Sequence, residues 1–405
     1  NVLPVFIFDT EILNRLEDAG DARVEFIYNQ LIRLQEELNT FQTSMRVFYG
    51  NPLEVFKNLL NDYQVDALFF NHDYEPYATG RDQQIADLLG EKDIPVRSFK
   101  DQVIFEKDEI LKADQTPYTV FTPYKRKWLE AFDPDSLYDY SIEAYAGNFY
   151  PAERYSIPEL REMGFQETSN TFPDAIIDEQ LITEYEANRD YPALDGTTRL
   201  GVHFRHGTLS IRKAVAAARK LSPVWLSELI WRDFYMMILW HFPHVVDHSF
   251  KPRYDFIDWR NNENEFEKWC KGETGYPIVD AGMRELNETG YMHIRVRMIT
   301  ASFLTKHLLI DWRWGEAYFG KKLLDYELSS NNGGWQWAAG SGCDAAPYFR
   351  IFNPELQTKK FDTEHIYIKK WVPEYQSKQY ARPVVEHKFA RERALKEYKK
   401  ALKTA

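Results

Sequence analysis

The sequence predicts an α/β domain followed by an all-α domain, and three observations support this division. Through residues 1–100, short apolar segments alternate with amphipathic ones, a pattern typical of a doubly wound parallel sheet. From residue 166 onward the apolar positions recur at helical spacing. Residues 101–165 between them are irregular and rich in Pro and Tyr. We therefore predict an α/β domain (1–100), a connector (101–165) and a helical domain (166–405).

The α/β domain is predicted from strands and helices that alternate along the chain. The strands are VLPVFIF, MRVFYG (45–50), DALFF and IPVRSF, and the helices are 22–39, PLEVFKNLLNDY and RDQQIADLLGEK. This spacing favours parallel strands joined by right-handed crossovers. No GxGxxG or GxxxxGK[ST] motif is present to assign a nucleotide. Because the chain starts within a predicted strand, we expect further residues to precede it.

In the helical domain, several boundaries are readable from local signals. Ser222 and Pro223 predict the cap and first turn of a helix over 222–240, and Gly290 predicts a C-cap. Residues 292–312 are apolar over much of their surface, so we expect one deeply buried helix there. The run Asn331 to Gly334 is expected to interrupt helical structure, because Gly is unfavourable in a helix interior.

Composition narrows the class of protein. Of 405 residues, 44% are hydrophobic, yet no run reaches the roughly 18 apolar residues of a membrane helix. The two cysteines form no metal-binding spacing and no secretory signal is found, so we expect a cytoplasmic protein without a metal. The net charge is −12, but it is −8 over 1–100 (9 Lys/Arg, 17 Asp/Glu) and +5 over 361–405 (11 and 6). A local basic face can therefore still bind phosphates.

The stretch 325–350 combines paired Asn, paired Gly and two tryptophans, which suggests a planar ligand, although composition alone favours a helix–loop–helix corner with buried aromatics. NNGGWQWAA followed by DAAPYFRIFNP resembles the photolyase/cryptochrome family, most closely its class I members, which repair cyclobutane pyrimidine dimers. The resemblance covers essentially the whole chain and is densest over 185–362. It implies a monomeric carbon–carbon lyase that binds FAD and UV-damaged DNA and repairs dimers by electron transfer from excited, reduced FAD under blue light.

The resemblance implies a set of residues that bind FAD. Alone, Thr197 and Thr198 would be read as part of an ordinary capped helix, although a helix start also attracts phosphate. Alone, Asn331 would be a turn residue. In the family, the segment that matches Thr197 to Gly201 binds the pyrophosphate, and the segment that matches Asp325 to Glu327 faces the ribose and adenine. Asn331 matches the residue beside flavin N5. The residues concerned are Tyr185, Thr197, Thr198, Arg199, Leu200, Gly201, Asp325, Tyr326, Glu327 and Asn331.

Three tryptophans resemble the electron relay of the family. Trp335, Trp312 and Trp259 occur in the contexts WQWAA, LLIDWRWGE and FIDWRNN. Indole is readily oxidised, and neighbouring rings can pass an electron with little atomic motion. Because the chain has eleven tryptophans, some would match by coincidence, so the expectation depends on the matched sequence contexts of these three.

A lesion pocket is expected on the helix over 222–240. Glu228, Trp231 and Arg232 are spaced i, i+3, i+4 and share one face, which alone could be a solvated rim. The resemblance implies that Trp231 and Trp337 sandwich the thymine rings. It also implies that Glu228 hydrogen-bonds or protonates the dimer carbonyl and that Arg232 binds phosphate. It makes Glu228, Met298 and Asn331 the catalytic residues. Further residues implied at the pocket or DNA edge are Arg189, Arg295, Met298, Arg350 and Gln357.

Two positions depart from the family pattern. Where dimer photolyases usually have Trp-Met-His-Asn-Arg, this chain has Tyr291-Met292-His293-Ile294-Arg295. The Asn would bond substrate or DNA, and Ile294 cannot. The loss of one such bond costs about 0.5–1.5 kcal/mol.

The antenna and the alternatives stay open. Residues 72–82 match the chromophore segment of the family, but Tyr77-Ala78 replace the Asn-Glu pair of folate-binding members, which leaves a deazaflavin, a flavin or no antenna. A cryptochrome-type photoreceptor without repair activity is the first alternative, and Ile294 favours it. A light-independent flavin oxidoreductase is the second, but the chain has no recognisable nicotinamide site.

Overall fold

The computed structural model describes residues 1–138 and 141–404. Asp139 and Tyr140 of the predicted connector, and Ala405 at the end of the predicted helical domain, lie outside the described residues. The chain forms two compact units: unit 1 comprises 1–102, 134–174 and 206–213, and unit 2 comprises 103–133, 175–205 and 214–405. Residues of the predicted connector thus belong to both units.

Unit 1 has the predicted alternation of strands and helices. Its elements are β1 (Val5–Asp9), α1 (Thr10–Leu13), α2 (Ala22–Thr40), β2 (Arg46–Gly50), α3 (Pro52–Asp62), β3 (Leu68–Asn71), α4 (Pro76–Gly90) and β4 (Val96–Phe99). Short 3₁₀ helices follow at Pro134–Ser136 and Glu143–Asn148. β1 pairs with β2 and β3 with β4, both in parallel, with Val5 opposite Arg46 and Leu68 opposite Val96. An apolar core that includes Phe8, Leu31 and Val47 lies between α2 and the first strand pair.

The remaining helices lie wholly or mainly in unit 2. They are α5 (Phe121–Ala131), α6 (Glu179–Thr183), α7 (Tyr185–Asn188), α8 (Gly201–His206), α9 (Ile211–Leu221), α10 (Pro223–His241), α11 (Glu263–Lys271), α12 (Pro277–Thr289), α13 (Ile294–Ser302), α14 (Trp312–Lys322), α15 (Leu328–Ala339), α16 (Pro354–Phe361), α17 (Ile366–Trp371) and α18 (His387–Thr404). Two 3₁₀ helices (Pro243–Val246 and Pro252–Phe256) and one π-helix (Phe303–Leu308) complete the set. The α/β and all-α division is confirmed. None of the described helices is long and apolar enough to cross a membrane.

Both predicted helix ends are confirmed. The Ser222 side chain accepts a hydrogen bond from the N–H of Trp225, and Pro223 opens α10. Gly290 follows α12 with φ +67°, and its N–H donates to the carbonyl of Leu286. Left-handed backbone at that position favours glycine.

Residues 292–312 lie deep over most of their length, as expected, but they do not form a single helix. α13 ends at Ser302, a π-helix follows, and Leu309 takes up a left-handed conformation with φ +52°. Asp311 then begins a new helix by accepting a hydrogen bond from the N–H of Arg313. The periodicity failed here because residues 299–310 are all buried, so no exposed face marks the break between the helices.

The interruption expected from Asn331 to Gly334 is also wrong, since all four residues lie inside α15. Packing explains the first glycine: a Cβ at Gly333 would lie 2.3 Å from the ring of Tyr235 on α10. Asn332 contributes as well, because its side-chain amide donates to the carbonyl of Val245 at 2.8 Å. Tertiary contacts therefore outweigh the low helix propensity of this run.

Candidate functional site

The segment expected to bind pyrophosphate folds against the segment expected to bind ribose. Arg199 has φ +52°, so the chain turns sharply before α8 begins at Gly201. A Cβ at Gly201 would lie 2.9 Å from Asp325, and glycine therefore permits this close approach. Thr197 Oγ1 lies 2.9 Å from the hydroxyl of Tyr291. Thus Tyr291, which replaces the usual Trp, is tied to the expected cofactor segment.

Asp325 is held by an arginine that the sequence analysis missed. Arg297 donates from Nη2 to Asp325 Oδ2 at 2.9 Å, and from Nε to the carbonyl of Met292 at 2.7 Å. Burial acts to lower the pKa of Arg297, but the Asp325 carboxylate and other neighbours outweigh it and raise that pKa. The second arginine in MHIRVRM was the available signal, and only a fold could place it against Asp325.

One buried oxygen of this pair, Asp325 Oδ1, has no hydrogen-bond partner among the described residues. A buried acceptor is normally satisfied, and an unsatisfied one costs about 1–3 kcal/mol. A hydroxyl donor, such as those of the ribose portion of FAD, would satisfy it. The residues at this site therefore fit FAD.

Glu327 begins α15 and is bound by Arg232 of α10. Arg232 Nη2 lies 2.7 Å from Glu327 Oε1, with side-chain exposures of 10% and 7%. Ser330 donates to the other carboxylate oxygen at 2.7 Å. Arg232 is thus engaged inside the protein, and the contact with DNA phosphate expected of it stays a prediction. Tyr326, which lies between Asp325 and Glu327 in the sequence, is half-buried.

The side-chain amide of Asn331 is oriented by Glu316 of α14. Asn331 Nδ2 donates to Glu316 Oε1 at 2.9 Å and to its backbone carbonyl at 3.1 Å. Because the amide nitrogen is engaged twice, the amide oxygen is the atom presented to a ligand. Glu316 was not predicted, since nothing in the sequence pairs residues 15 positions apart on different helices.

The three predicted relay tryptophans belong to one apolar cluster. Trp335 and Trp312 are 2% and 1% exposed within it, and the half-buried Trp259 packs against it. The nearest tryptophan ring to Trp335 is that of Trp269, at 6.0 Å between ring centroids and 72°. A Cβ at Gly315 would lie 2.1 Å from the Trp335 ring, so glycine makes room for it. The three residues share this cluster, and a relay of electrons among them stays a prediction.

The expected lesion pocket contains ion pairs that are partly open to solvent. Arg189 of the α7 end pairs with Glu228, with side-chain exposures of 23% and 32%, and its guanidinium lies 5.3 Å from the Tyr185 ring centre. Arg295 pairs with Asp190, with exposures of 19% and 39%. Arg295 also donates to the sulfur of Met298 at 3.6 Å, and its guanidinium lies 4.5 Å from the ring centre of Phe361.

The aromatic members of the pocket lie on α10 and α15. Trp231 stacks on Phe121, a residue that the sequence analysis did not single out. Trp337 lines a small cavity together with Tyr235 and Asp344. Both tryptophans are half-buried, which leaves ring surface for a ligand.

The remaining predicted positions are partly or fully exposed, except Leu200, which is 1% exposed. Ile294 is the first residue of α13 and is 43% exposed. Arg350 is exposed, with its guanidinium 5.7 Å from the ring centre of Phe352. Gln357 is half-buried on α16, and Thr198 and Leu200 flank Arg199.

Unit 1 contains a separate cavity of about 350 Å³. It is lined by Glu11, Asn51, Pro52, Leu53, Pro76, Tyr77, Gly80, Arg81, Gln84 and Ile85. Tyr77 donates to Asp9 Oδ2 at 2.6 Å. Burial, followed by this contact, raises the pKa of Tyr77. Part of the predicted antenna segment thus lines a cavity of ligand size.

Comparison with known proteins gives consistent matches over both units. A family model for the FAD binding domain of DNA photolyase matches residues 225–377, and one for DNA photolyase matches residues 1–140. A deoxyribodipyrimidine photo-lyase from Synechococcus sp. is 37% identical over 92% of this chain and 82% of its own. A class III photolyase from Agrobacterium tumefaciens has a TM-score of 0.85 at 31% identity, covering 99% of this chain and 92% of its own. A photolyase from Sulfolobus tokodaii, solved with two FAD molecules, has a TM-score of 0.80 at 32% identity, covering 99% and 94%.

Proposed function

Because the chain belongs to the DNA photolyase family, we propose that it repairs cyclobutane pyrimidine dimers in UV-damaged DNA under blue light. The observation that carries this proposal is the packing of α10 on α15 at Gly333. α15 bears Asn331, expected at the flavin, and Trp337, expected at the lesion, while α10 bears Trp231. One helix pair thus connects a flavin site to an aromatic pocket.

FAD would be held by the segment Thr197–Gly201 with Tyr185, by Asp325 and by Asn331. Bound FAD supplies light-driven one-electron chemistry. Arg297 orients the Asp325 carboxylate, and Arg232 orients that of Glu327. Glu316 holds the Asn331 amide in one orientation, so that a neutral acceptor and no extra charge faces the flavin ring.

The lesion would enter the pocket between Trp231 and Trp337. A dimer must leave the base stack to do so, as is general for photolyases, and a poorly stacked lesion costs less to extrude. Glu228 would exchange its contact with Arg189 for the dimer carbonyl, and Arg189 would turn to phosphate. Met298 and Arg295 would line the pocket, and Arg350 and Gln357 would contact the DNA edge.

The experiment is a repair assay on an oligonucleotide that contains one cyclobutane dimer, in blue light and in the dark. We expect dimer reversal only in the light, and tighter binding to the damaged than to the undamaged strand at fixed salt. Reversal in the dark, or no reversal by protein with reduced FAD, would contradict the proposal.

One observation favours a cryptochrome-type photoreceptor as the second candidate. Ile294 presents an exposed apolar side chain where a dimer photolyase has Asn. Such a protein would bind FAD and respond to blue light, but it would bind damaged and undamaged DNA equally and reverse no dimers.

We also propose that the cavity of unit 1 binds a second, light-harvesting chromophore. The cavity volume and the two FAD molecules of the Sulfolobus relative support this. Gly80 lines the cavity, and a Cβ there would meet nothing within 4 Å. Gly80→Phe should therefore place a ring at the cavity without a clash at its Cβ. The variant should then release one chromophore per chain on denaturation, the FAD, whereas the wild type should release two per chain; identical content in both proteins would contradict the proposal.

A further inference from the structure

Trp231, the aromatic residue of α10 in the proposed lesion pocket, has one ring face covered by a second ring. Its centroid lies 3.6 Å from that of Phe121, and the ring planes differ by 7°. Phe234 meets Trp231 edge-on at 5.6 Å and 80°, and Tyr235 lies at 5.4 Å and 30°. Phe121 is only 8% exposed. Phe121 therefore covers one face of the indole, and the half-buried ring keeps exposed surface that can receive a ligand.

Phe121 is itself fixed by a residue far along the chain. It is the first residue of α5, and the preceding Val120 provides no side-chain cap. The N–H of Phe121 instead donates to Asp344 Oδ2 at 2.9 Å. A carboxylate at the start of a helix satisfies an unpaired N–H and complements the helix dipole. Asp344 belongs to the loop after α15 and lines the same small cavity as Trp337.

A second anchor holds the same segment to α10. Asp233, which is 1% exposed, accepts hydrogen bonds from the N–H groups of Ile104 and Phe105 and from the indole Nε1 of Trp128 on α5. α5 is thus tied to α10 on one side and to the loop after α15 on the other. Phe121 cannot swing away from Trp231 unless these contacts break.

We propose that Phe121, capped by Asp344, is a positioning residue for lesion recognition. It fixes the plane of Trp231 so that the indole offers one preformed face to a pyrimidine dimer. The inference rests on the proposed function. A ring that is already immobilised loses little conformational freedom when a base stacks on it, so the stacking energy appears as affinity.

The inference separates two kinds of DNA contact. Undamaged DNA is bound mainly through phosphates, and these contacts do not depend on the plane of Trp231. An extruded dimer depends on stacking against aromatic rings. Loss of the Phe121 ring should therefore weaken binding of damaged DNA selectively and leave binding of undamaged DNA unchanged.

Phe121→Leu keeps most of the apolar volume and removes the stack. We expect the affinity for dimer-containing DNA to fall about two- to tenfold, the range of a lost aromatic pair. KM for damaged DNA should rise by a similar factor, and kcat at saturating damaged DNA should stay near the wild-type value. Phe121→Tyr should restore both affinity and KM, because it restores the ring.

The chain offers a matched control on the same helix. Phe132, just after α5, stacks on Trp128 with centroids 4.9 Å apart and planes 5° apart. Phe132→Leu removes an equally coplanar ring pair outside the proposed pocket, so it should leave the preference for damaged DNA unchanged. FAD content and photoreduction, measured for every variant, verify that the proteins are folded.

Three outcomes decide the inference. A selective loss in Phe121→Leu, absent in Phe132→Leu and rescued by Phe121→Tyr, supports it. Equal losses for both kinds of DNA, or equal effects of the two Leu variants, overturn it, because Phe121 would then be only structural. A wild-type protein that fails to reverse dimers overturns the proposed function itself, and that failure is visible before any variant is made.

Discussion

The polar groups on two sides of the α10–α15 pair are held in different ways. On the flavin side, defined here by Asp325, Glu327 and Asn331, each group is bound by a partner from another helix. The side chains of the Arg232–Glu327 pair are 10% and 7% exposed, and those of the Arg297–Asp325 pair are 21% and 24% exposed. On the lesion side, defined by the Arg189–Glu228 and Arg295–Asp190 pairs, the acidic members are 32% and 39% exposed. Partly hydrated pairs can exchange partners at little cost, whereas buried pairs cannot. The difference suits a permanent cofactor on one side and a transient substrate on the other.

The largest expected effect separates photoreduction of the flavin from repair of the lesion. Trp335→Phe should abolish most photoreduction of oxidised flavin, because phenylalanine is much harder to oxidise than tryptophan. Repair by chemically pre-reduced protein should remain near the wild-type rate, since the proposed relay only restores the reduced cofactor. Trp240→Phe, at an exposed tryptophan of α10, is the matched control. Equal loss of photoreduction and repair would show that the relay and the repair step are not separate.

The next effect tests whether burial distinguishes the ion pairs. Arg232→Ala would leave Glu327 buried without its cation, and such a change costs about 3–5 kcal/mol of unfolding free energy. Arg189→Ala, on the lesion side, should cost at most about 1 kcal/mol, because Glu228 can be hydrated. Chemical denaturation of both variants measures the difference. Similar losses in the two would remove the contrast between the sides.

A smaller effect tests the contact between α10 and α15. A Cβ at Gly333 would press on Tyr235, and overpacking of this kind typically costs about 1–3 kcal/mol. At Gly334 a Cβ would meet nothing within 4 Å, so Gly334→Ala should stabilise the helix by up to about 1 kcal/mol. Thermal unfolding should show a lower Tm for Gly333→Ala and an unchanged or higher Tm for Gly334→Ala. Identical shifts would mean that helix propensity alone governs both positions.

The sequence predicts elements well and contacts poorly. Strand–helix alternation predicted β1 to β4, and cap chemistry predicted the start of α10, because both signals are local. The helix break expected at 331–334 was wrong, because the low helix propensity of glycine is also a local signal. Glycine is needed at Gly333 to make room for a ring on another helix, which no local signal shows. Local propensity cannot anticipate such a contact.

The same limit explains the missed site residues. Resemblance supplied Asn331 and Trp231 as single residues, but their partners come from elsewhere in the fold. Phe121 lies on a helix far from Trp231 in sequence, and its cap Asp344 is 223 positions away. Glu316 is closer in sequence to Asn331, but it lies on a separate helix. Its backbone carbonyl and its side-chain carboxylate both accept hydrogen bonds from the Asn331 amide. Distance along the chain and the need for exact orientation put these pairs beyond pattern analysis.

The smallest expected effect concerns Ile294, where the lesion side departs from the family. Ile294 is exposed at the first position of α13, so Ile294→Asn should alter stability little. One added hydrogen bond should tighten binding of dimer-containing DNA by at most about tenfold, the equivalent of roughly 0.5–1.5 kcal/mol. Ile366→Asn makes the same change at the exposed first residue of α17 and should not alter that affinity. Affinities must be compared at one salt concentration, because phosphate contacts alone vary strongly with salt.

If Ile294→Asn also tightens binding of undamaged DNA by the same factor, position 294 contacts the DNA backbone and not the lesion. If neither variant nor the wild type prefers damaged DNA, the open ion pairs of the lesion side serve another partner, and the photoreceptor becomes the better account of this chain.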